Sequence, residues 1–81
     1  MPADLTMVEW DILADMATAG ARGRLKEDGR TIEGRAQHRL RNLGLAEYTV
    51  ERRHGTSGAV VRRIFRITAA GIAALEGRAH G

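Results

Sequence analysis

Apolar residues recur at helical spacing near the start of the chain. Thr6, with Glu9 three positions later, has the spacing of a capping box, and the apolar residues that follow return every three or four positions. Asp11 and Asp15 share the opposite side of the same helix. The pattern predicts an amphipathic helix over residues 6 to 18 with an acidic exposed face. Its apolar stripe consists of Leu5, Val8, Ile12, Leu13 and Met16.

A second helical pattern covers residues 31 to 43. Thr31 is a favourable N-cap, and Gly44 stands where a left-handed residue commonly ends a helix. The apolar residues form one narrow stripe, which consists of Ile32, Ala36, Leu40 and Leu43. The opposite face has no acid at its centre and carries Gly34, Arg35, His38, Arg41 and Asn42, with Gln37 and Arg39 at its margins.

Residues 19 to 30, between the two helices, have no convincing periodicity. Three glycines disfavour a long helix, and Leu25 is the only large apolar residue of the segment. We therefore predict a plain loop, or a single helical turn around residues 24 to 27.

The second half of the chain predicts a β-hairpin. Strands are expected over Leu45 to Arg53 and over Ala59 to Thr68, joined by a five-residue loop at residues 54 to 58. Alternation places Phe65 and Ile67 together on the core face, in line with Val61 and Arg63. It places the other set on the opposite face, which consists of Val60, Arg62, Ile64 and Arg66. The same alternation forces Arg63 out of the core near the tip, where we expect a basic cluster of Arg52, Arg53, Arg62 and Arg63.

A closing helix is predicted after the hairpin. Thr68 is its expected cap, and the helix should run from Ala69 to about Gly77 while burying Ile72 and Leu75. Residues 1 to 77 would then form a single domain, and residues 78 to 81 a disordered tail.

The composition narrows the class of protein. The chain has 81 residues and no cysteine, which excludes disulfides and thiolate metal sites and fits a reducing compartment. No apolar stretch approaches the length of a membrane span, and the N-terminus is acidic where a signal peptide is basic. We expect a soluble, cytoplasmic domain.

Charge is segregated along the chain. Residues 1 to 20 hold four acids and no base, whereas residues 22 to 66 hold twelve bases and five acids, a net charge of +7. All but one of the 13 basic residues are arginine, whose planar fork suits phosphates and guanine edges. This distribution favours a nucleic-acid partner, although an arginine-rich chain is also typical of a GC-rich genome.

Two motifs carry a resemblance to a known superfamily. The stretch Leu40-Arg-Asn-Leu-Gly-Leu-Ala-Glu-Tyr48 is similar to the junction of winged helix-turn-helix proteins at which the recognition helix passes into the first wing strand. The stretch Phe65-Arg-Ile-Thr-Ala-Ala-Gly-Ile-Ala-Ala-Leu75 is similar to the end of MarR-like and PadR-like regulators, where the second wing strand enters a final helix. Together they cover about half of the chain.

The resemblance implies an α+β winged-helix fold with a three-helix core, a two-stranded β-hairpin wing and a short C-terminal helix. Residues 32 to 43 would form the recognition helix in the major groove, and residues 50 to 63 the wing on the backbone or minor groove. The DNA-binding residues that it implies are Arg35, His38, Arg41, Asn42, Arg52, Arg53, Arg62 and Arg63. The chain departs from the family because it lacks a convincing second helix and a long dimerisation helix, so both a monomer and a homodimer stay open.

Two function classes follow from these patterns. The first is a small transcriptional regulator that binds double-stranded DNA, of the kind that phages and mobile elements encode. The second is a winged-helix module that docks on a protein, such as an anti-CRISPR-like inhibitor of a host nucleoprotein complex. A DNA reader needs Arg35, His38 and Arg41 unpaired, whereas a protein-docking surface allows them to pair with Glu33 or Asp28. No metal, cofactor or catalytic residue is predicted, because the histidines and carboxylates show no suitable spacing.

Overall fold

The computed structural model describes residues 4–55 and 58–80, and within these ranges the fold is α+β, with three α-helices and a three-stranded antiparallel sheet. Thr56 and Ser57 of the predicted loop and Gly81 of the predicted tail lie outside the described residues. The elements in chain order are α1 (Met7–Ala19), a 3-10 turn (Gly20–Arg22), β1 (Arg24–Leu25), α2 (Ile32–Asn42), β2 (Ala46–Gly55), β3 (Gly58–Ile67) and α3 (Ala69–His80).

The helix caps follow the sequence closely. Thr6 and Glu9 form both bonds of the predicted capping box at the start of α1. The Thr31 side chain accepts a hydrogen bond from the Gly34 amide at the start of α2. Gly44, after the end of α2, has a φ of 77°, which is the left-handed conformation expected there. The predictions for both helix starts and for the end of α2 are confirmed.

The sheet contains a strand that the sequence did not predict. β3 is the central strand, and its ladder with β2 runs without a bulge from the Ala46–Ile67 pair to the Gly55–Gly58 pair. On its other side β1 pairs with only two residues, Phe65 and Ile64. The expectation of a loop or helical turn is therefore wrong at Arg24 and Leu25, whereas Lys26 and Glu27 belong to no helix or strand, as expected for a loop. A strand of two residues is too short to show a periodic pattern in the sequence. It forms because β3 provides its hydrogen-bonding partners.

The core forms where α1, α2 and the hairpin meet. The predicted stripe of α1 supplies Ile12, Leu13 and Met16, all buried. The two ends of the stripe predicted for α2 are wrong, because Ile32 is 64% exposed and Leu43 39% exposed. The buried side of α2 is rotated towards the segment before it and consists of Gly34, Ala36, Gln37 and Leu40.

Two further burial predictions need correction. Ile72 of α3 is 47% exposed instead of buried, while Leu75 packs partly buried against the core. Ile64, on the opposite face of β3 from Phe65, is fully buried although alternation placed it away from the core. It lies outside the main core cluster, so the hairpin is covered on both faces at its base.

α3 extends past the predicted end at Gly77 and continues through His80, so residues 78 to 80, expected in a disordered tail, are helical. Arg78 explains the extension, because its guanidinium carbon lies 4.6 Å from the centre of the Trp10 ring. One of its N–H groups also donates to the Met7 sulfur at 3.8 Å. These contacts anchor the last turn of α3 to α1.

We expect Arg78→Ala to loosen this anchor and to change the environment of Trp10, the only tryptophan of the chain. A cation–π contact at a partly exposed site contributes about 0.5–1 kcal/mol, so the midpoint of thermal unfolding should fall by a few degrees. The tryptophan emission maximum should move to longer wavelength. Arg30→Ala removes an exposed arginine that does not contact Trp10 and should leave the spectrum unchanged. Identical spectra for Arg78→Ala and the unmodified protein would contradict the contact.

Candidate nucleic-acid interface

The outward face of α2 brings together the four helical residues predicted from the sequence. Arg35, His38, Arg41 and Asn42 are all exposed. Among the described residues, none of the four forms a salt bridge or donates a side-chain hydrogen bond to another protein group. In particular, neither Glu33 nor Asp28 pairs with them. Their donors are therefore available to an external ligand.

The residues predicted at the margins of this face have structural roles. Gln37 is fully buried, accepts a hydrogen bond from the Glu27 amide at 2.7 Å and donates to the Leu25 carbonyl at 3.0 Å. Arg39 forms a salt bridge with the buried Glu9 of α1. Both side chains fix the position of α2 and do not belong to its outward face.

A groove of about 390 Å³ runs beside the outward face of α2. Arg35, His38 and Asn42 line it from the helix, and Lys26 and Gly29 line it from the segment that precedes α2. The concave surface is thus bordered by cationic and amide groups, which suits an anionic ligand. Lys26, the only lysine of the chain, was not among the predicted site residues.

The pairing of β2 with β3 divides the four hairpin arginines between two faces. Opposed residues point to the same side, so the register assigns every side chain to a face. Face A is the side of Tyr48 and Phe65, and it also carries Ala46, Val50, Arg52, His54, Ala59, Val61, Arg63 and Ile67. Face B carries Glu47, Thr49, Glu51, Arg53, Val60, Arg62, Ile64 and Arg66.

The two faces differ in charge. Face A contains two arginines, one histidine and no acid, whereas face B contains three arginines and two glutamates. On face B, Arg66 forms a 2.9 Å salt bridge with Glu51, and Glu51 also lies opposite Arg62 in the ladder. Arg66 of face B is therefore paired and Arg62 lies near a carboxylate, whereas Arg52 and Arg63 of face A form no salt bridge among the described residues.

One contact joins face A to α2. The Arg41 guanidinium carbon lies 5.9 Å from the centre of the Tyr48 ring, and that ring packs against Phe65 with a centroid separation of 5.2 Å. The outward face of α2 and face A thus meet at Tyr48. Together they form a surface that we call the basic surface; it consists of Arg35, His38, Arg41, Asn42, Arg52, His54 and Arg63. Glu27 and Asp28 border a cavity beside Arg63, at the edge of this surface.

The chain matches no known protein family, no curated protein and no solved structure. Among the helices of residues 4–55 and 58–80, none combines the length and the apolar composition that a membrane crossing requires. The same residues contain no group of three or more potential metal ligands close enough together to hold an ion.

The residues that connect the parts of the site were not predicted from the sequence. Tyr48 was assigned to a strand without a role at the interface, and Gln37 was placed on the polar face of α2. Strand alternation alone separates Arg62 from Arg63 and Arg52 from Arg53. The register of the hairpin adds that Arg52 shares a face with Arg63, and Arg53 with Arg62.

Proposed function

We propose that the protein is a small winged-helix transcriptional regulator that binds double-stranded DNA. α2 is the recognition helix in the major groove, and the β2–β3 hairpin is the wing that meets the adjoining backbone or minor groove. The order of the elements supports this proposal, because α2 passes directly into β2 and β3 passes directly into α3. The similarity of the junctions to winged helix-turn-helix regulators supports it as well.

The observation that carries the proposal is the basic surface. Duplex DNA presents a dense line of phosphates on either side of a groove. It is therefore attracted to a positively charged surface that has two arms. The outward face of α2 and face A of the hairpin form these arms, and Tyr48 lies between them. Arginine and asparagine side chains on α2 are also the types that read guanine and adenine edges.

The absence of internal partners within the described residues favours DNA over protein docking. Arg35, His38 and Arg41 do not pair with Glu33 or Asp28. An arginine that has no carboxylate partner keeps all its forked donors for phosphate or base contacts. The hairpin arginines of face B, which do have glutamates beside them, are expected to contribute less.

We expect Arg63→Ala to weaken binding to a random labelled duplex, measured by fluorescence anisotropy across a salt series. The loss of one phosphate contact should lower the slope of log affinity against log salt by about one and reduce affinity severalfold at low salt. Arg62→Ala is the matched control, because it removes the adjacent arginine of the same strand from the opposite face. This second variant should bind nearly as the unmodified protein does.

Three results bear on the proposal in different ways. Salt-dependent binding with the two variants ordered as predicted supports DNA contact through face A. Equal losses for both variants would contradict the division of the hairpin while keeping DNA binding. No binding by the unmodified protein at about 50 mM salt, where such contacts are only weakly screened, would overturn the DNA proposal in favour of a protein partner.

A further inference from the structure

The outer edge of β2 is the longest unpaired strand edge in the part of the chain that the structure describes. β3 occupies one side of β2 along all ten residues, and no described strand pairs with the other side. The Thr68 amide donates to the Leu45 carbonyl at 3.1 Å, and the Lys26 amide donates to the Arg63 carbonyl on the far side of β3 at 2.8 Å. Since backbone groups alternate between edges, these bonds show that Tyr48, Val50 and Arg52 direct their N–H and C=O groups outward.

The side chains along this edge leave it open to another strand. Proteins usually protect an exposed edge with charged side chains, a proline or a bulge. Four of the ten residues of β2 are charged, but they carry both signs, so they do not repel a second strand uniformly. β2 contains no proline or bulge over Ala46–Gly55, and its central Val50 is 41% exposed. The exposed charges of face B at its two ends have opposite sign, Glu47 near the base and Arg53 near the tip.

We infer that this edge binds a second copy of the chain, with the two β2 strands antiparallel about a two-fold axis at Val50. In this register Val50 lies opposite Val50 of the partner subunit, and Glu47 lies opposite Arg53 of the partner subunit. The symmetry repeats the charged pair on the other side of the axis. The result is a continuous six-stranded sheet in which the outward backbone groups of β2 are paired.

Charge selects this register over its two-fold neighbours. Residues with outward backbone groups must be paired with one another across the two-fold axis. Two neighbouring registers meet this condition. An axis at Thr49 pairs Tyr48 with Val50 of the partner subunit, and an axis at Glu51 pairs Val50 with Arg52 of the partner subunit. An axis at Thr49 places Glu47 opposite Glu51 of the partner subunit. An axis at Glu51 places that glutamate opposite its own symmetry mate. Like charges directly opposite one another are unfavourable in a sheet, and of these three axes only the one at Val50 avoids them.

The pairing has a consequence for the proposed DNA interface. A two-fold axis perpendicular to the sheet keeps face A of both copies on the same side, so two α2 helices lie on that side as well. This consequence rests on the proposed DNA function and would suit a duplex with two inverted half-sites. The strand pairing itself does not depend on DNA. A single strand pair is smaller than the roughly 1,200 Å² of a standard stable interface, so association should depend on protein concentration.

Charge reversal tests the register by sedimentation velocity over a concentration series without DNA. Glu47→Arg and Arg53→Glu each place like charges opposite one another twice, so each should raise the dimer dissociation constant by about tenfold or more. An equimolar mixture of these two variants restores opposite charges at both positions and should form heterodimers. The double variant, which carries both changes, should dimerise like the unmodified chain.

Disulfide trapping tests the position of the axis. The chain has no cysteine, so Val50→Cys introduces a single thiol. Directly opposed residues in a hydrogen-bonded antiparallel pair have Cα atoms about 5.5 Å apart, within the range of about 4.4–6.8 Å that a disulfide spans. Val61→Cys is the control, because Val61 is similarly exposed on face A but belongs to the next strand. Its mates would be more than about 14 Å apart.

Rapid oxidative cross-linking of Val50→Cys alone, together with heterodimers from the two charge variants, is the expected result. Equal cross-linking at both positions would overturn the proposed edge pairing. A dimer dissociation constant that neither charge reversal changes would overturn it as well. A protein that stays monomeric at every concentration would overturn it too. None of these measurements involves DNA, so their failure is distinct from failure of the DNA proposal.

Discussion

Gly34→Ala is expected to destabilise the fold by about 3 kcal/mol or more, a large part of the stability of a domain this small. A Cβ atom at position 34 would lie 1.9 Å from the Asp28 carbonyl oxygen and 3.0 Å from the Cα of Gly29. The backbone at Asp28 cannot yield without cost, because that carbonyl accepts hydrogen bonds from the Thr31 amide and hydroxyl at 3.0 and 2.6 Å. Moving it would disrupt the start of α2.

Urea unfolding followed by circular dichroism measures this effect. Gly77→Ala is the matched control, since the same substitution in α3 meets no heavy atom within 4 Å. Replacing an exposed helical glycine with alanine should stabilise the protein by up to about 1 kcal/mol. We therefore expect Gly34→Ala to lower the free energy of unfolding and Gly77→Ala to raise it. If Gly34→Ala proved as stable as Gly77→Ala, the close packing of residues 28 and 29 on α2 would be contradicted.

The sequence predicted the elements whose signals are local. A capping box, an N-cap threonine and a left-handed glycine each depend on side chains within a few residues, and the structure confirms those at Thr6, Thr31 and Gly44. The strands of the hairpin were also predicted within two residues of their observed ends. The local interactions that stabilise these features in the fold are also the ones that a sequence pattern can predict.

The features that the sequence did not predict depend on distant partners. β1 is a strand because β3 lies beside it, and Arg24 is further held by a 2.5 Å salt bridge to Asp15 of α1. The need for glycine at position 34 can be recognised only when the Asp28 carbonyl is known to lie against it. The apolar pattern of α2 was misleading for the same reason, because a buried glutamine and glycine, and not Ile32 or Leu43, face the rest of the protein.

The candidate site also combines features that local sequence predicts with features that depend on tertiary structure. Composition and helical spacing placed Arg35, His38, Arg41 and Asn42 on one exposed face, as observed. The hairpin arginines were predicted as one cluster at the tip, with Arg62 and Arg63 on opposite faces by alternation. Which arginine of β2 shares a face with each of them depends on the register that pairs Val50 with Arg63 and Glu51 with Arg62. Which arginines share a surface with α2 is therefore a tertiary property.

Gln37→Met is expected to release the segment before α2 and to cost about 2 kcal/mol of stability. Gln37 is completely buried, and its amide group links two backbone atoms of that segment, the Glu27 N–H and the Leu25 carbonyl. Methionine has a similar length but offers no comparable donor or acceptor, so both backbone groups would lose a partner away from full solvation. Asn42→Ala, which removes an exposed amide from the same helix, should change stability by less than about 0.5 kcal/mol.

Hydrogen exchange at the Glu27 amide separates this mechanism from general loosening. In the unmodified protein this N–H donates to Gln37 at 2.7 Å, whereas the neighbouring Lys26 N–H donates to Arg63 in β3. We expect Gln37→Met to accelerate exchange at Glu27 much more than at Lys26, because only the first bond is lost directly. Equal acceleration at both amides would indicate global destabilisation. Unchanged exchange at Glu27 would show that Gln37 does not hold the segment against α2, and the position of Lys26 beside the groove would then need another cause.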